Sequence, residues 1–279
     1  MAYELARQGN RVLVVDLDDQ ANASLSLGVN KADDIDNASS LEEVERILNS
    51  FEERQELIEF LLECVDEDFD YRKYIYPSSF NKHLKAECDG LIDVLPSSYK
   101  TQPHELERKP LAEKRLDKGL QQLSGEYDYC LIDTPPIYNR ITWNGVFAAN
   151  YIIIPSQMEY LSVYGIRNPV KQTREVREET EDTRGKILGI VPMMTDNTKI
   201  NQTILERTNE RTNERTGEKN FSQCPHFFRG KTRCTHERSF TSANTTFFIC
   251  RTHTKSRWYS QTNGRFDMGD SGTNRLTRE

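Results

Sequence analysis

No stretch of about 18 consecutive apolar residues occurs in the 279-residue sequence, so no segment has the composition of a membrane-spanning helix. The opening residues Met1 to Gly9 lack the apolar core of a secretory signal. Cysteine is scarce in the body of the chain. Cys64, Cys88 and Cys130 show no paired spacing, which suits reduced thiols and a cytoplasmic location more than a disulfide framework. A phosphate-cradling loop is also missing. Such a loop needs closely spaced glycines whose backbone N–H groups face the anion at a helix start. The only Gly-Lys-Thr triplet, Gly230-Lys231-Thr232, has neither an upstream glycine nor a preceding strand. Valine vanishes after Val191, and only Leu205 and Leu276 represent leucine after Leu188. The C-terminal stretch therefore has little with which to build a core.

Charge is uneven. Residues 1–200 carry 36 acidic and 23 basic side chains, and residues 201–279 carry 8 and 14. An acidic body favours solubility and is also compatible with a high-salt host.

Two short apolar runs end on carboxylates. Tyr129-Cys130-Leu131-Ile132 leads to Asp133, after which Pro135 and Pro136 cannot continue a ladder. Arg11-Val12-Leu13-Val14-Val15 leads to Asp16, followed by Leu17, Asp18 and Asp19. Runs of this length without helical amphipathicity read as buried strands of a parallel sheet. Open α/β sheets bind ligands at the carboxyl ends of their strands. A lone acid there also serves as an ordinary cap. Two such acids suit a polyanion with Mg²⁺.

The remaining pattern fills in an α/β chain. Met1 to Gln8 is helical and is closed by Gly9 at the position where helices stop. Ser40-Leu41-Glu42-Glu43 reads as a capping box, and apolar residues from Leu41 to Leu62 recur at helical spacing, as one helix or two. Asp66 to Lys85 is tyrosine-rich and irregular, an insertion. Gly90 to Ser98 is a strand with a Pro96-Ser97 exit, where Ser97 and Ser98 serve as caps. Leu106 to Leu123 is helical in pattern. Tyr151 to Pro155 and Ile187 to Met194 are further strands, with a helix end at Asn144 to Ala149. Five strands alternating with helices predict an α/β fold, a doubly wound and mostly parallel sheet.

The two acid-tipped strands carry a specific likeness. Val12 to Ser24, V-L-V-V-D-L-D-D-Q-A-N-A-S, and Tyr127 to Pro136, Y-D-Y-C-L-I-D-T-P-P, resemble the matching segments of the ParA/MinD (Soj-like) family of deviant Walker P-loop ATPases. The resemblance runs from Met1 to about Thr208. It implies ATP and Mg²⁺ as cofactors. It also implies an ATP-dependent homodimer, non-specific DNA binding, a ParB-like stimulating protein, and a role in plasmid or chromosome partition. By resemblance Asp133 holds Mg²⁺ through water, Asp16 lies near the ion, and Asp18 orients the attacking water. Met194, Thr195 and Asp196 occupy the place where relatives hold the adenine, or merely end a strand. Asp19 stands where the family has Pro, and Ala21 where it has Gly. The family's first strand and its K-G-G-x-G-K-[ST] segment have no counterpart before Met1. The expectation is therefore a domain over residues 1–205 that lacks its P-loop and is inactive as it stands. A non-enzymatic remnant that binds a full-length relative is the alternative.

Residues 206–279 form a polar, basic tail, expected to be disordered or out of frame from about Asn220. Cys224, His226, Cys234, His236, Cys250 and His253 crowd soft ligands into it, which opens a zinc-binding reading. Their spacing matches no familiar zinc finger.

Overall fold

The computed structural model describes residues 1–29, 39–52, 54–98, 103–135, 137, 139–157, 173, 175, 185–193 and 246–250. Its centre is β1 (Arg11–Asp16), whose five residues after Arg11 are all buried. β1 pairs in parallel with β3 (Leu91–Leu95) on one side and β4 (Tyr129–Thr134) on the other. β5 (Tyr151–Gln157) and β6 (Lys186–Met193) form a second parallel pair. Two further strands, β2 (Tyr76–Pro77) and β7 (Thr246–Cys250), run antiparallel to their neighbours. The sheet order is β2-β3-β1-β4-β7-β5-β6. All five strands expected from the apolar runs are present.

The period-2 alternation sorts β1 between two cores. Val12 and Val14 pack with Ile92, Val94 and Leu131 beneath Leu5 and Ala6 of α1 (Ala2–Arg7). Leu13 and Val15 face the opposite way, into a larger cluster with Cys130 and Ile132. That cluster is covered by α4 (Leu57–Glu63), α7 (Arg115–Gln121) and α8 (Arg140–Ala148). Helices on both faces make the sheet doubly wound. Gly90 permits the close approach of α1 to the start of β3, since a Cβ there would lie 1.8 Å from the Ala6 carbonyl oxygen.

The apolar run from Leu41 forms two helices, α3 (Leu41–Glu52) and α4. Ser40 Oγ accepts the Glu43 N–H as a cap should, but the Glu43 carboxylate reaches back to Ser39 N and Oγ instead of closing the box on Ser40. The helix expected over Leu106–Leu123 is broken into α6 (Pro103–Glu107), a 3₁₀ turn at Ala112–Lys114, and α7. The cause is local. Pro110 offers no N–H, and Leu111 follows at φ 50°, outside the helical region. Buried Asn144 then ties the pieces together, accepting from Leu116 N and donating to the Ala112 and Arg140 carbonyls.

The insertion has a purpose. Tyr74 is buried against Phe60 and Phe69, and β2 covers the outer edge of β3. Asn81, in α5 (Asn81–Glu87), hydrogen-bonds both backbone groups of Ile92 through its side-chain amide. An exposed strand edge is thereby closed. Ser78 Oγ and Ser79 N both donate to the Leu27 carbonyl, fastening the segment that follows β1.

The tail departs from expectation at one point. Thr246–Cys250 forms a strand inside the sheet, with five register partners on β4 and three on β5. The other tail residues, including Cys224, His226, Cys234, His236 and His253, lie outside the described residues.

Candidate functional site

Asp16, the last residue of β1, and Asp133, the penultimate residue of β4, are register partners on adjacent parallel strands. The chain leaves β1 through Leu17, whose N–H donates to the Asp133 carbonyl at 2.8 Å. Two residues beyond Asp16 lies Asp18, which is half-buried. The topology thus gathers three acids at one sheet end.

Their environments differ. Asp16 is wholly buried and accepts three hydrogen bonds. Asp18 N donates to Oδ1 at 3.1 Å, and Ser24 N and Oγ donate to Oδ2 at 2.8 and 2.7 Å. Burial nevertheless outweighs these donors and pushes the carboxyl up to about 6. Asp18 is also raised, chiefly by burial, and its Oδ1 accepts the Gln20 N–H. Asp133 is raised furthest, to about 8, by burial first and then by the charges of Asp16 and Asp18. Its Oδ1 is buried and has no hydrogen-bond partner among the described residues. A buried, unpartnered carboxylate oxygen beside two other acids calls for a cation.

The donor set is all oxygen, which suits a hard ion. No group of three or more His, Cys, Asp or Glu among the described residues converges to ligate one ion. Mg²⁺ does not require this, since it commonly takes one or two carboxylates and completes its shell with water and phosphate. The residues therefore fit Mg²⁺ at Asp133.

Because the folded-state pKa of Asp133 lies above the ordinary value of 3.8, its contribution to stability is fully present below about pH 4 and is lost as pH rises through about 8. Asp133→Asn should melt higher than the parent at pH 8 and close to it at pH 4. Mg²⁺ should raise the melting temperature of the parent, and not of the variant, at pH 8. Thermal scans at both pH values check this; parallel pH profiles for the two proteins would refute it.

Ala21 holds the turn between Asp18 and α2 (Asn22–Ser26) at φ 52°, ψ 31°. The sequence departure at this position is thus a non-glycine residue in left-handed backbone, a conformation costing roughly 1–2 kcal/mol. Glycine loses about 0.4–1 kcal/mol through the freedom of the unfolded chain. Ala21→Gly should therefore leave stability unchanged or raise it by up to about 1.6 kcal/mol. Ala148→Gly, in α8, should lower it by at least roughly 0.5 kcal/mol. Urea denaturation of the pair decides; equal losses would show that the turn stores no strain.

Sequence reasoning identified the three acids but missed Ser24 as the partner of Asp16. The signal lay in the hydroxyl residue at the third position of a helix whose N-cap, Ala21, cannot cap it. Met194, Thr195 and Asp196 lie outside the described residues.

Comparison with known proteins bears on this arrangement. A family model described as an AAA domain matches residues 1–186. Relatives include the sporulation initiation inhibitor protein Soj of Bacillus subtilis, 28% identical over 205 residues, covering 72% of this chain and 68% of Soj. The chain belongs to the ParA/MinD family of P-loop ATPases. The chromosome partitioning protein ParA of Myxococcus xanthus is 26% identical over 199 residues, which span 71% of this chain and 59% of that protein. Among solved structures, cobyrinic acid a,c-diamide synthase from Mycobacterium smegmatis, with bound ATP analog and magnesium, matches with a TM-score of 0.57 at 26% identity. That match covers 75% of this chain and 73% of the synthase. The mostly parallel sheet is thus of the P-loop NTPase type found in ParA/MinD proteins. No helix among the described residues is long and apolar enough to cross a membrane.

Proposed function

We propose that this chain supplies the carboxylate side of the nucleotide site of a ParA-type partition ATPase, which separates plasmid or chromosomal DNA. The observation that carries this reading is the juxtaposition of Asp16, Asp133 and Asp18 at one sheet end, with Asp133 Oδ1 buried and unpartnered among the described residues. In this reading Asp133 holds Mg²⁺ through water. Asp18 accepts a hydrogen bond from the attacking water and aligns it in line with the transferred phosphoryl group. Bound Mg²⁺ supplies neutralisation of phosphate charge. Burial of Asp16 and of Asp133 Oδ1 strengthens the polar contacts made there. By analogy with its relatives, the protein dimerises on ATP, binds DNA without sequence preference and is stimulated by a ParB-like protein.

The 279 residues contain no K-G-G-x-G-K-[ST] segment. Three acids alone repel a polyanion. Titration of this chain with a fluorescent ATP analogue in Mg²⁺ should therefore show no micromolar binding. A form that carries a strand and K-G-G-x-G-K-[ST] ahead of α1 should bind and hydrolyse ATP. Absence of binding in that form would overturn the ATPase reading and leave a non-enzymatic protein that pairs with a relative.

A further inference from the structure

Asp16 makes more contacts within its own loop than a primary cation ligand needs. Its Oδ2 takes both the N–H and the hydroxyl of Ser24, and its Oδ1 takes the N–H of Asp18. Ser24 is itself fully buried, and its Oγ accepts the Ser97 N–H at 3.3 Å. One hydroxyl thus joins the end of β1, the third residue of α2 and the exit of β3. α2 needs this help. Its N-cap Ala21 makes no side-chain cap bond, so the N–H at the third helical position would otherwise be an orphan. The buried carboxylate satisfies it from eight residues upstream. The far end of the segment is fastened by Ser78 and Ser79 on Leu27. Between these two anchors lie half-buried Asp18, whose charge acts on Asp133, and exposed Asp19.

We propose that Ser24 is a positioning residue: its hydroxyl clamps the Asp16 carboxylate, and Asp16, so clamped, fixes the loop that presents Asp18. The catalytic meaning of this clamp rests on the water-orienting role given to Asp18 above. The clamp itself does not. The arrangement divides labour among the acids. Asp133, with an unpartnered oxygen, faces the cation. Asp16 has its lone pairs largely committed and serves as a structural hub. Asp18 is held by the hub through its own backbone.

The test uses the 279-residue chain first, by amide hydrogen exchange of Ser24→Ala and Ser24→Thr. A hydrogen bond to a charged group contributes about 1.5–3 kcal/mol. Ser24→Ala should therefore speed exchange at Asp18, residue 24 and Ser97 by about tenfold or more, while amides of β1 and β3 keep their protection. Ser24→Thr, which keeps the hydroxyl, should restore protection. A residue that merely filled space would loosen the whole β1–β3 region alike, and threonine would not rescue it. That outcome, or unchanged exchange at Asp18 in Ser24→Ala, would overturn the proposal. In the ATP-binding form, Ser24→Ala should lower kcat about tenfold with little change in KM. Loss of local protection without a kcat effect would leave the clamp standing and place the fault with the role of Asp18.

Discussion

Replacing Asp18 with alanine is expected to slow ATP turnover by about 10²-fold or more in the form of the protein that binds nucleotide, the usual worth of one positioned acid or base. Nucleotide binding should be largely unaffected. Asp18 reaches the sheet end on a loop anchored at Asp16, and its Oδ1 accepts the Gln20 N–H within that same loop. Its removal deletes a hydrogen-bond acceptor for water and leaves the cation side of the site intact. Asp133→Ala should behave differently. It removes the unpartnered oxygen at the strand end, so Mg²⁺-dependent binding should weaken along with turnover. Steady-state kinetics with separate equilibrium binding distinguish the two. Equal turnover in Asp18→Ala and parent would mean that another group orients the water.

A second large effect is expected from the tail. Deleting residues 246–279 should cost roughly 3–6 kcal/mol, taking about 1 kcal/mol for each net backbone hydrogen bond that the inserted strand makes. β7 has five partners on β4 and three on β5, and it is the element through which the two parallel halves of the sheet are hydrogen-bonded to each other. Amides of 246–250 should be protected from exchange to the same degree as those of β4. Denaturant melts of the deletion, together with exchange across 246–250, test this. Rapid exchange at these amides and an unchanged midpoint would show that the strand does not hold the sheet, and would return the tail to the unstructured reading.

The contrast between these two regions shows what the sequence displayed and what it hid. The acid-tipped strands were legible because β-branched runs buried on both faces cannot be mistaken for amphipathic helices, and because a carboxylate at a strand end is conspicuous. Their register, which brings Asp16 beside Asp133, was not legible in either run and emerges only from the pairing of β1 with β4. Ser24 was less visible, since its role depends on a return of the chain after a left-handed turn at a residue, Ala21, that rarely takes that shape. The break at Pro110 and Leu111 was signalled by proline but was outweighed by helical spacing on either side. Thr246-Phe247-Phe248-Ile249-Cys250 was a strand signal in its own right, an aromatic and β-branched run. The polar composition around it drew attention away. Its partners on β4 lie more than 100 positions upstream and those on β5 more than 90, beyond the reach of any local pattern.

That separation has a consequence for synthesis. Thr134 of β4 and Thr246 of β7 are partners 112 positions apart. At about 5–20 residues per second the ribosome needs on the order of ten seconds to add the intervening chain. Once β5 has been made, the edges of β4 and β5 that β7 later pairs with wait for their partner strand. Such edges template pairing with other chains. The nascent protein therefore passes through a period in which chaperone capture or aggregation competes with completion of its own sheet, and slowing translation after β6 should lower the soluble yield.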